Sequence, residues 1–299
     1  MEKKDECRMN GIRRLGVVGC GQMGSGIAEV AALAGIETVA REVSEELWRA
    51  GRDRIEASLE RAQAKGRIEA DAAAAALSRF HGTTELADLA QCDLVIEAVV
   101  EDLEVKRQLF GQLDALLEPS GILASNTSSL TLTQLAVCTQ RPDRFLGLHF
   151  FNPVSAMRLV EVVRTLMTSP ETLAAGHEFV HQIGKQAVEC KDGSGFVVNR
   201  LLVPYLLDAV RALEQNVASM EDIDTGMKLG CGHPMGPFTL LDFIGLDTIV
   251  FIADIMFDEY REARYAPPPM LRQLVQAGRL GRKSGRGFYD YGGGSGGSG

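Results

Sequence analysis

A glycine-rich segment lies near the start of this chain, where Gly19, Gly21 and Gly24 follow the pattern Gly-x-Gly-x-x-Gly. A short apolar run precedes the glycines and an alanine-rich amphipathic stretch follows them, which predicts a strand, a turn and a helix. Gly35 then ends the helix, and the sequence ETVARE predicts a second strand. Such a βαβ unit presents the backbone amides of a helix N-terminus to a pyrophosphate, so the segment predicts dinucleotide binding.

The same unit contains the acidic residue that a dinucleotide site requires. Glu42 ends the second predicted strand, 23 residues after Gly19. A carboxylate there bonds the adenine ribose hydroxyls and repels a 2′-phosphate, which favours NAD over NADP. Arg41, directly beside it, weakens that preference. Within the turn, the residues predicted to bind the cofactor are Gly19, Gly21, Gln22, Met23 and Gly24.

Beyond this unit, strand-like apolar runs alternate with helical stretches up to residue 190. One long helix is predicted over residues 44–76. Later helices are predicted near 103–117, 132–137 and 171–184, and later strands within 92–101, 121–129, 144–153, 159–165 and 186–190. Alternation of this kind predicts an α/β fold, with a Rossmann-like doubly wound domain in residues 1–190.

The character of the sequence changes after this domain. Over residues 191–290 apolar side chains recur at three- and four-residue intervals, which predicts a smaller all-α domain. Its apolar helices offer more hydrophobic surface than so small a domain can bury, which suggests a homodimer. The glycine- and serine-rich residues 291–299 are predicted to be a flexible linker.

Charge and cysteine usage narrow the range of partners. The chain has 40 Asp and Glu against 31 Lys and Arg, a net charge of −9, so neither nucleic acid nor an anionic membrane is expected as a partner. Aspartates interrupt the most apolar late stretch, 239–257, which argues against a membrane span. Six scattered cysteines without a C-x-x-C pair predict a reduced, cytoplasmic compartment.

A second group of polar residues lies at the carboxyl ends of the later predicted strands. Its members are Ser128 in SNTSS, His149 in GLHFFNP and Glu161 in LVEVV. Ligands of open α/β sheets bind at the carboxyl ends of the strands, where a histidine can serve as a general base and a carboxylate can orient it. For a single histidine, a hydrogen-bonded core position is the more common role, but His149 does not stand alone.

The sequence resembles the 3-hydroxyacyl-CoA dehydrogenases, particularly the short bacterial 3-hydroxybutyryl-CoA dehydrogenases. The likeness extends in the family's order from residue 13 to residue 291. The matching stretches are VVGCGQMGSGIA, DLVIEAVVEDLEVKRQLF, ASNTSSL, RFLGLHFFNPVSAMRLVEVV, GFVVNRLL, DIDTGMKLGCGHPMGPFTLLDFIGLDT and GRLGRKSGRGFYDY. So extensive a match is far more specific than the glycine motif alone.

The resemblance implies an NAD-dependent oxidoreductase that interconverts (S)-3-hydroxyacyl-CoA, above all 3-hydroxybutyryl-CoA, and 3-oxoacyl-CoA. His149 would be the general base and Glu161 its orienting carboxylate. Ser128 and Asn199 would hydrogen-bond the substrate in a cleft between the domains. Further residues implied at the cofactor are Glu101, Lys106, Asn152 and Lys283, and those implied at coenzyme A are Ser58, Lys65 and Ser128. A homodimer is implied as well.

Two departures from the family's pattern affect the cofactor site. The family often has aspartate where this chain has Glu42, which lengthens the reach to the ribose. Cys20 lies inside the glycine turn, where it is either an inert small side chain or an oxidisable thiol. We expect it to be inert.

Other functions have weaker support. His177, Glu178 and His181 form a literal H-E-x-x-H, but the extended zinc motif needs a third histidine where this chain has Ala187, so no metal site is predicted. A dehydrogenase of a hydroxy acid that lacks CoA, like the gulonate-type relatives, remains the alternative within the fold. A nucleotide-binding module without catalysis is disfavoured by the set Ser128, His149, Glu161 and Asn199.

Overall fold

The computed structural model describes residues 11–292, and the chain divides into two compact units between Gly193 and Ser194. The first unit is built on one eight-stranded sheet and the second on helices. The predicted boundary at residue 190 falls inside the last strand of the sheet, Gln186–Lys191. Residues 1–10 of the predicted first domain and 293–299 of the predicted linker lie outside the described residues.

The first unit has the predicted Rossmann-like architecture. Its strands are β1 (Arg14–Val18), β2 (Glu37–Arg41), β3 (Phe80–Thr83), β4 (Leu94–Glu97), β5 (Ile122–Ser125), β6 (Phe145–Phe150), β7 (Leu159–Arg164) and β8 (Gln186–Lys191). Its α-helices are α1 (Gln22–Leu33), α2 (Glu45–Ala64), α3 (Ala70–Arg79), α4 (Leu103–Leu116), α5 (Leu132–Ala136) and α6 (Pro170–Gln182).

The sheet confirms the predicted α/β class and adds one reversal. Its order is β3-β2-β1-β4-β5-β6-β7-β8. Strands β1 to β6 run parallel, β7 runs antiparallel to β6, and β8 runs parallel to β7. Every residue of β4, β5 and β6 is buried. Such strands form the centre of a sheet that is covered on both faces.

The segment after β2 differs from its prediction. The Ser44 hydroxyl accepts a hydrogen bond from the Leu47 amide and caps α2. The helix then ends at Ala64 with Lys65 as its C-cap, and Gly66 has a positive φ of 63°. The single helix predicted over 44–76 is therefore wrong, because a left-handed glycine separates α2 from α3. Strand β3, which follows α3 and pairs with β2 at the sheet edge, was not predicted.

The second unit is helical, as predicted. Its α-helices are α7 (Val198–Glu214), α8 (Met220–Cys231), α9 (Pro237–Ile244), α10 (Leu246–Tyr260) and α11 (Pro269–Gln276). They share a core of their own, which includes Leu206, Phe238 and Met256. In residues 11–292 no helix combines the length and the apolar character that crossing a membrane requires.

Two buried aspartates join the last described residues to this unit. The Asp242 carboxylate accepts hydrogen bonds from the amides of Phe288 and Tyr289, both at 2.8 Å, and from the Tyr291 hydroxyl at 3.1 Å. Asp224 accepts one from the Tyr289 hydroxyl at 3.0 Å. Tyr291, the first residue of the predicted linker, therefore belongs to the folded helical unit.

Candidate active site

The turn between β1 and α1 accepts only glycine at two of its three motif positions. Gly19 has a φ of 92°, and a Cβ there would lie 2.6 Å from the carbonyl oxygen of Ala98. A Cβ on Gly24 would lie 1.7 Å from the carbonyl oxygen of Gly19. A Cβ on Gly21, by contrast, would meet no atom within 4 Å. The first and third glycines allow close packing, and the second faces open space.

Glu42 follows β2 beside this turn. One of its carboxylate oxygens accepts a hydrogen bond from the Cys20 amide at 2.6 Å, and the other accepts one from the Val43 amide at 3.1 Å. Arg41 Nε donates to the carbonyl oxygen of Thr84 at 3.1 Å. The carboxylate thus lies at the turn itself, where the sequence predicts an acidic residue.

His149 and Glu161 form a buried pair on neighbouring strands. They are register partners in the antiparallel β6–β7 ladder, so their side chains share one face of the sheet. His149 Nδ1 lies 2.6 Å from Glu161 Oε2, and the two residues are 5% and 0% exposed. Because an ionised carboxylate only accepts hydrogen bonds, Nδ1 carries the hydrogen and Nε2 is the basic nitrogen.

A buried ion-pair network lies at the ends of β4 and β5. The Glu97 carboxylate accepts hydrogen bonds from the Ser125 hydroxyl at 2.6 Å and from the Val99 amide at 2.7 Å. Lys106 Nζ lies 2.5 Å from Glu97 and 3.1 Å from Glu101, and the lysine side chain is 1% exposed. One buried ammonium group therefore pairs with two carboxylates, and its ion pair with Glu101 fixes the position of that carboxylate.

Glu101 in turn holds the segment that contains Ser128. Its Oε1 accepts hydrogen bonds from the Thr127 and Ser129 hydroxyls and from the Ser128 amide. Burial acts to raise the pKa of Glu101, but the charge of Lys106 and these hydrogen bonds outweigh it and lower the pKa below its usual value. The carboxylate is therefore ionised at neutral pH and fixes the backbone around Ser128.

Two family models together match almost all of the described chain. The model of the 3-hydroxyacyl-CoA dehydrogenase NAD-binding domain matches residues 14–193. The model of the C-terminal domain of the same family matches residues 195–291. The chain belongs to the 3-hydroxyacyl-CoA dehydrogenase family. The predicted family, enzyme class and NAD cofactor are thereby confirmed.

The dehydrogenase is similar to other members of this family over both of its units. It is 53% identical over 282 residues to the 3-hydroxybutyryl-CoA dehydrogenase of Mycobacterium tuberculosis, covering 94% of this chain and 99% of that one. It is 47% identical to the mitochondrial hydroxyacyl-coenzyme A dehydrogenase of Sus scrofa, covering 94% and 91%. The crystal structure of (S)-3-hydroxybutyryl-CoA dehydrogenase PaaH1 from Ralstonia eutropha matches with a TM-score of 0.91 at 43% identity, covering 94% and 99%.

The turn of the dehydrogenase fits NAD. The open space at Gly21 leaves room for a pyrophosphate before the N-terminus of α1. Gln22 Nε2 donates to Asn152 Oδ1 at 3.2 Å, which joins the predicted cofactor residue Asn152 to the turn. Met23 is partly buried against the core of the first unit. The roles predicted for Gln22, Met23 and Asn152 stay predictions.

Ser58 and Lys65, predicted at coenzyme A, lie in different surroundings. The Ser58 hydroxyl donates to Glu29 at 2.9 Å, and burial raises the pKa of that glutamate. Lys65 is exposed at the end of α2. Both residues belong to the first unit. Their predicted roles stay predictions.

Asn199 and Lys283 belong to the helical unit of the dehydrogenase. Asn199 lies in the first turn of α7. Lys283 Nζ forms an ion pair with Asp247 at 2.6 Å. A role of either residue at a site in the first unit stays a prediction.

The H-E-x-x-H segment lies on α6. His177 Nε2 lies 3.4 Å from a carboxylate oxygen of Glu189 on β8, and His181 is exposed. Across residues 11–292, no group of three or more His, Cys, Asp and Glu side chains has the arrangement of a metal site.

The sequence analysis did not predict the buried residues whose hydrogen bonds fix Lys106, Glu101 and the segment of Ser128. These are Glu97, Ser125, Thr127 and Ser129, which hold Lys106, Glu101 and the segment of Ser128. The sequence does contain a sign of this network, because Glu97 is the one carboxylate in the apolar strand LVIE. Lys and Glu are almost never fully buried unless they are paired.

Cys20 is expected to resist alkylation in the folded protein. Burial, with a smaller effect of Glu42, raises the pKa of this thiol to about 12. At pH 8 it is therefore protonated, and only the thiolate is a nucleophile. We expect peptide mass spectrometry after iodoacetamide treatment to find Cys231, which is exposed, modified at least ten times faster than Cys20. In urea the two rates should converge, and equal rates in the folded protein would show that Cys20 is reactive.

Proposed function

We propose that this protein interconverts (S)-3-hydroxyacyl-CoA and 3-oxoacyl-CoA with NAD, and that its substrate is 3-hydroxybutyryl-CoA. The observation that carries the proposal is the buried pair of His149 and Glu161, 2.6 Å apart, in the same unit as the NAD-binding turn. A histidine oriented by a carboxylate is suited to remove the proton of an alcohol. The relative from M. tuberculosis named above supports the choice of substrate.

In the proposed mechanism the 3-hydroxyl proton passes to His149 Nε2 while C3 loses a hydride and the C3–O bond becomes a carbonyl. NAD, when bound, supplies the acceptor of that hydride. Glu161 accepts the Nδ1 hydrogen bond, holds the tautomer and stabilises the imidazolium that forms. In the reverse direction the imidazolium returns the proton to the alkoxide oxygen as it forms.

Ser128 is proposed to hold the reacting oxygen or the thioester carbonyl. Its amide is fixed by Glu101 at 3.2 Å. Among residues 11–292 no partner of its hydroxyl appears, which leaves that group for a ligand oxygen. Asn199 is proposed as a second donor to the substrate.

The substrate assignment is tested by comparing thioesters with free acids. We expect purified protein and NADH to reduce acetoacetyl-CoA with a kcat/KM at least 100-fold above that for acetoacetate, because the coenzyme A part supplies binding energy that the free acid lacks. A series of 3-oxoacyl-CoA substrates from C4 to C16 should peak at C4. Comparable rates for free hydroxy or oxo acids would favour the gulonate-type alternative instead.

We further propose that the protein is a homodimer that associates through its helical unit. The described residues of that unit include six exposed large apolar side chains, namely Leu201, Val217, Leu229, Phe243, Phe251 and Tyr291. Sedimentation is expected to give twice the chain mass of 32.3 kDa. Leu229→Asp, at a side chain 82% exposed, should shift the protein towards monomer, whereas Leu166→Asp in the first unit should not. A monomeric wild type would contradict the proposal. A cytoplasmic location stays a prediction from the free cysteines.

A further inference from the structure

One residue of the glycine turn lies between two opposite charges. The amide of Cys20 donates to Glu42 at 2.6 Å, while its carbonyl oxygen accepts a hydrogen bond from Arg54 Nη2 at 2.7 Å. Arg54 is part of α2, which packs closely on the turn, because a Cβ on Gly51 would lie 2.3 Å from Cys20 Sγ. The carboxylate and the guanidinium therefore bond the amide and the carbonyl oxygen of the same residue, close to the end of β2.

Arg54 on α2 and Arg41 on β2 differ from two other arginines of α2 in their hydrogen-bond partners. Arg49 pairs with Glu45 at 2.6 Å, and Arg52 pairs with Glu56 at 2.7 Å. Within residues 11–292, by contrast, no carboxylate lies within 4 Å of the guanidinium of Arg54. Arg41 likewise bonds only a carbonyl oxygen there. Among the described residues, two guanidinium groups without a paired carboxylate thus belong to residues near Glu42: Arg41 precedes it in the chain, and Arg54 bonds the same residue of the turn as Glu42 does.

We propose that Arg54 is a specificity-determining residue that, with Arg41, can hold a 2′-phosphate, and that Glu42 alone keeps this site selective for NAD. Guanidinium groups bind phosphate through paired N–H donors. The Glu42 carboxylate repels the roughly two negative charges of a phosphate. Removing that one charge leaves a cationic site next to the ribose. The inference rests on the proposed NAD-dependent function.

The test compares binding of 2′,5′-ADP with that of 5′-AMP by calorimetry, because these probes differ by the 2′-phosphate and need no turnover. Glu42→Ser is expected to tighten 2′,5′-ADP at least 100-fold relative to 5′-AMP. Adding Arg54→Met should remove at least tenfold of that gain. Adding Arg49→Met, on the same helix but paired with Glu45, should remove none. NADPH and NADH titrations should follow the same pattern.

Glu42→Gln removes the charge while keeping the size of the side chain, and it replaces Glu42→Ser if that variant fails to fold. No gain for 2′,5′-ADP in a folded Glu42 variant, or a gain that survives Arg54→Met, would overturn the proposal. Equal losses for both probes in Arg54→Met would also overturn it, because they would reflect the turn alone. Reduction of acetoacetyl-CoA by wild type with NADH tests the proposed function separately, since it does not depend on Arg54.

Discussion

Replacing His149 by glutamine is expected to lower kcat for acetoacetyl-CoA reduction by about 10³-fold, within the range that general acid–base catalysis contributes. A glutamine amide can occupy the position of the imidazole, but it cannot accept the proton of the substrate hydroxyl or return it. NADH binding, followed by fluorescence titration, should stay within about twofold of wild type, because the glycine turn follows β1, whereas His149 lies on β6.

His177→Gln provides the matched control, because His177 lies in the same unit and is paired with Glu189 rather than with Glu161. It should leave kcat unchanged. Glu161→Gln should also lower kcat, by a smaller factor, because the imidazolium loses its carboxylate but the base itself remains. Full activity in His149→Gln would exclude the proposed role of this histidine and with it the proposed mechanism.

Replacing Lys106 by methionine is expected to lower the free energy of unfolding at pH 7 by about 3–5 kcal/mol, the cost of removing one partner of a buried ion pair. Glu97 and Glu101 would then face each other without a cation between them. Urea unfolding followed by circular dichroism measures the change. Lys65→Met, at an exposed lysine, is the control and should stay within about 0.5 kcal/mol of wild type.

The pH dependence of this loss has a defined sign. Burial opposes ionisation of Glu101, but Lys106 and the hydrogen bonds lower its pKa below the unfolded value, so its contribution is present above the unfolded pKa and is lost as the pH falls through the folded pKa. Without Lys106 the balance shifts towards a raised pKa. The difference between wild type and variant should therefore narrow on acidification.

A second substitution distinguishes the ion pair from simple packing. Adding Glu97→Gln to Lys106→Met removes one of the two uncompensated charges and should recover about 1–2 kcal/mol, less than the whole loss because a buried amide still needs partners. A Lys106→Met variant as stable as wild type would show that the network is not structurally important. If the single and the double variant lose the same free energy of unfolding, the loss comes from packing and not from the uncompensated charges.

Much of the first unit could be predicted because its constraints are local. The turn forbids a Cβ at Gly19 and Gly24, and such a requirement appears directly as glycine in the sequence. The break between α2 and α3 is not predicted, because the segments before and after Gly66 both have high helix propensity and the glycine is a single residue between them. Strand β3 is short and only partly buried, so it gives little periodic signal.

The candidate site was predictable as a set of residues but not as a geometry. His149 and Glu161 could be named from their places in strand-like runs, whereas their direct opposition depends on the antiparallel direction of β7, which no local pattern encodes. The role of Lys106 in holding Glu101 depends on burial, and a lysine in a helix gives no sign of burial. Contacts of this kind join separate elements, so they arise only when the sheet and its helices have folded.

The buried Asp242 sets a practical limit on how the chain can be extended or shortened. Three of its hydrogen-bond donors come from Phe288, Tyr289 and Tyr291. A fusion that replaces the chain from Phe288 onward would leave the buried Asp242 carboxylate without those donors. The expected cost to the free energy of unfolding is about several kcal/mol. A reporter or affinity tag joined after Tyr291 leaves all three in place. The safe attachment point is therefore decided by one aspartate some 50 residues upstream.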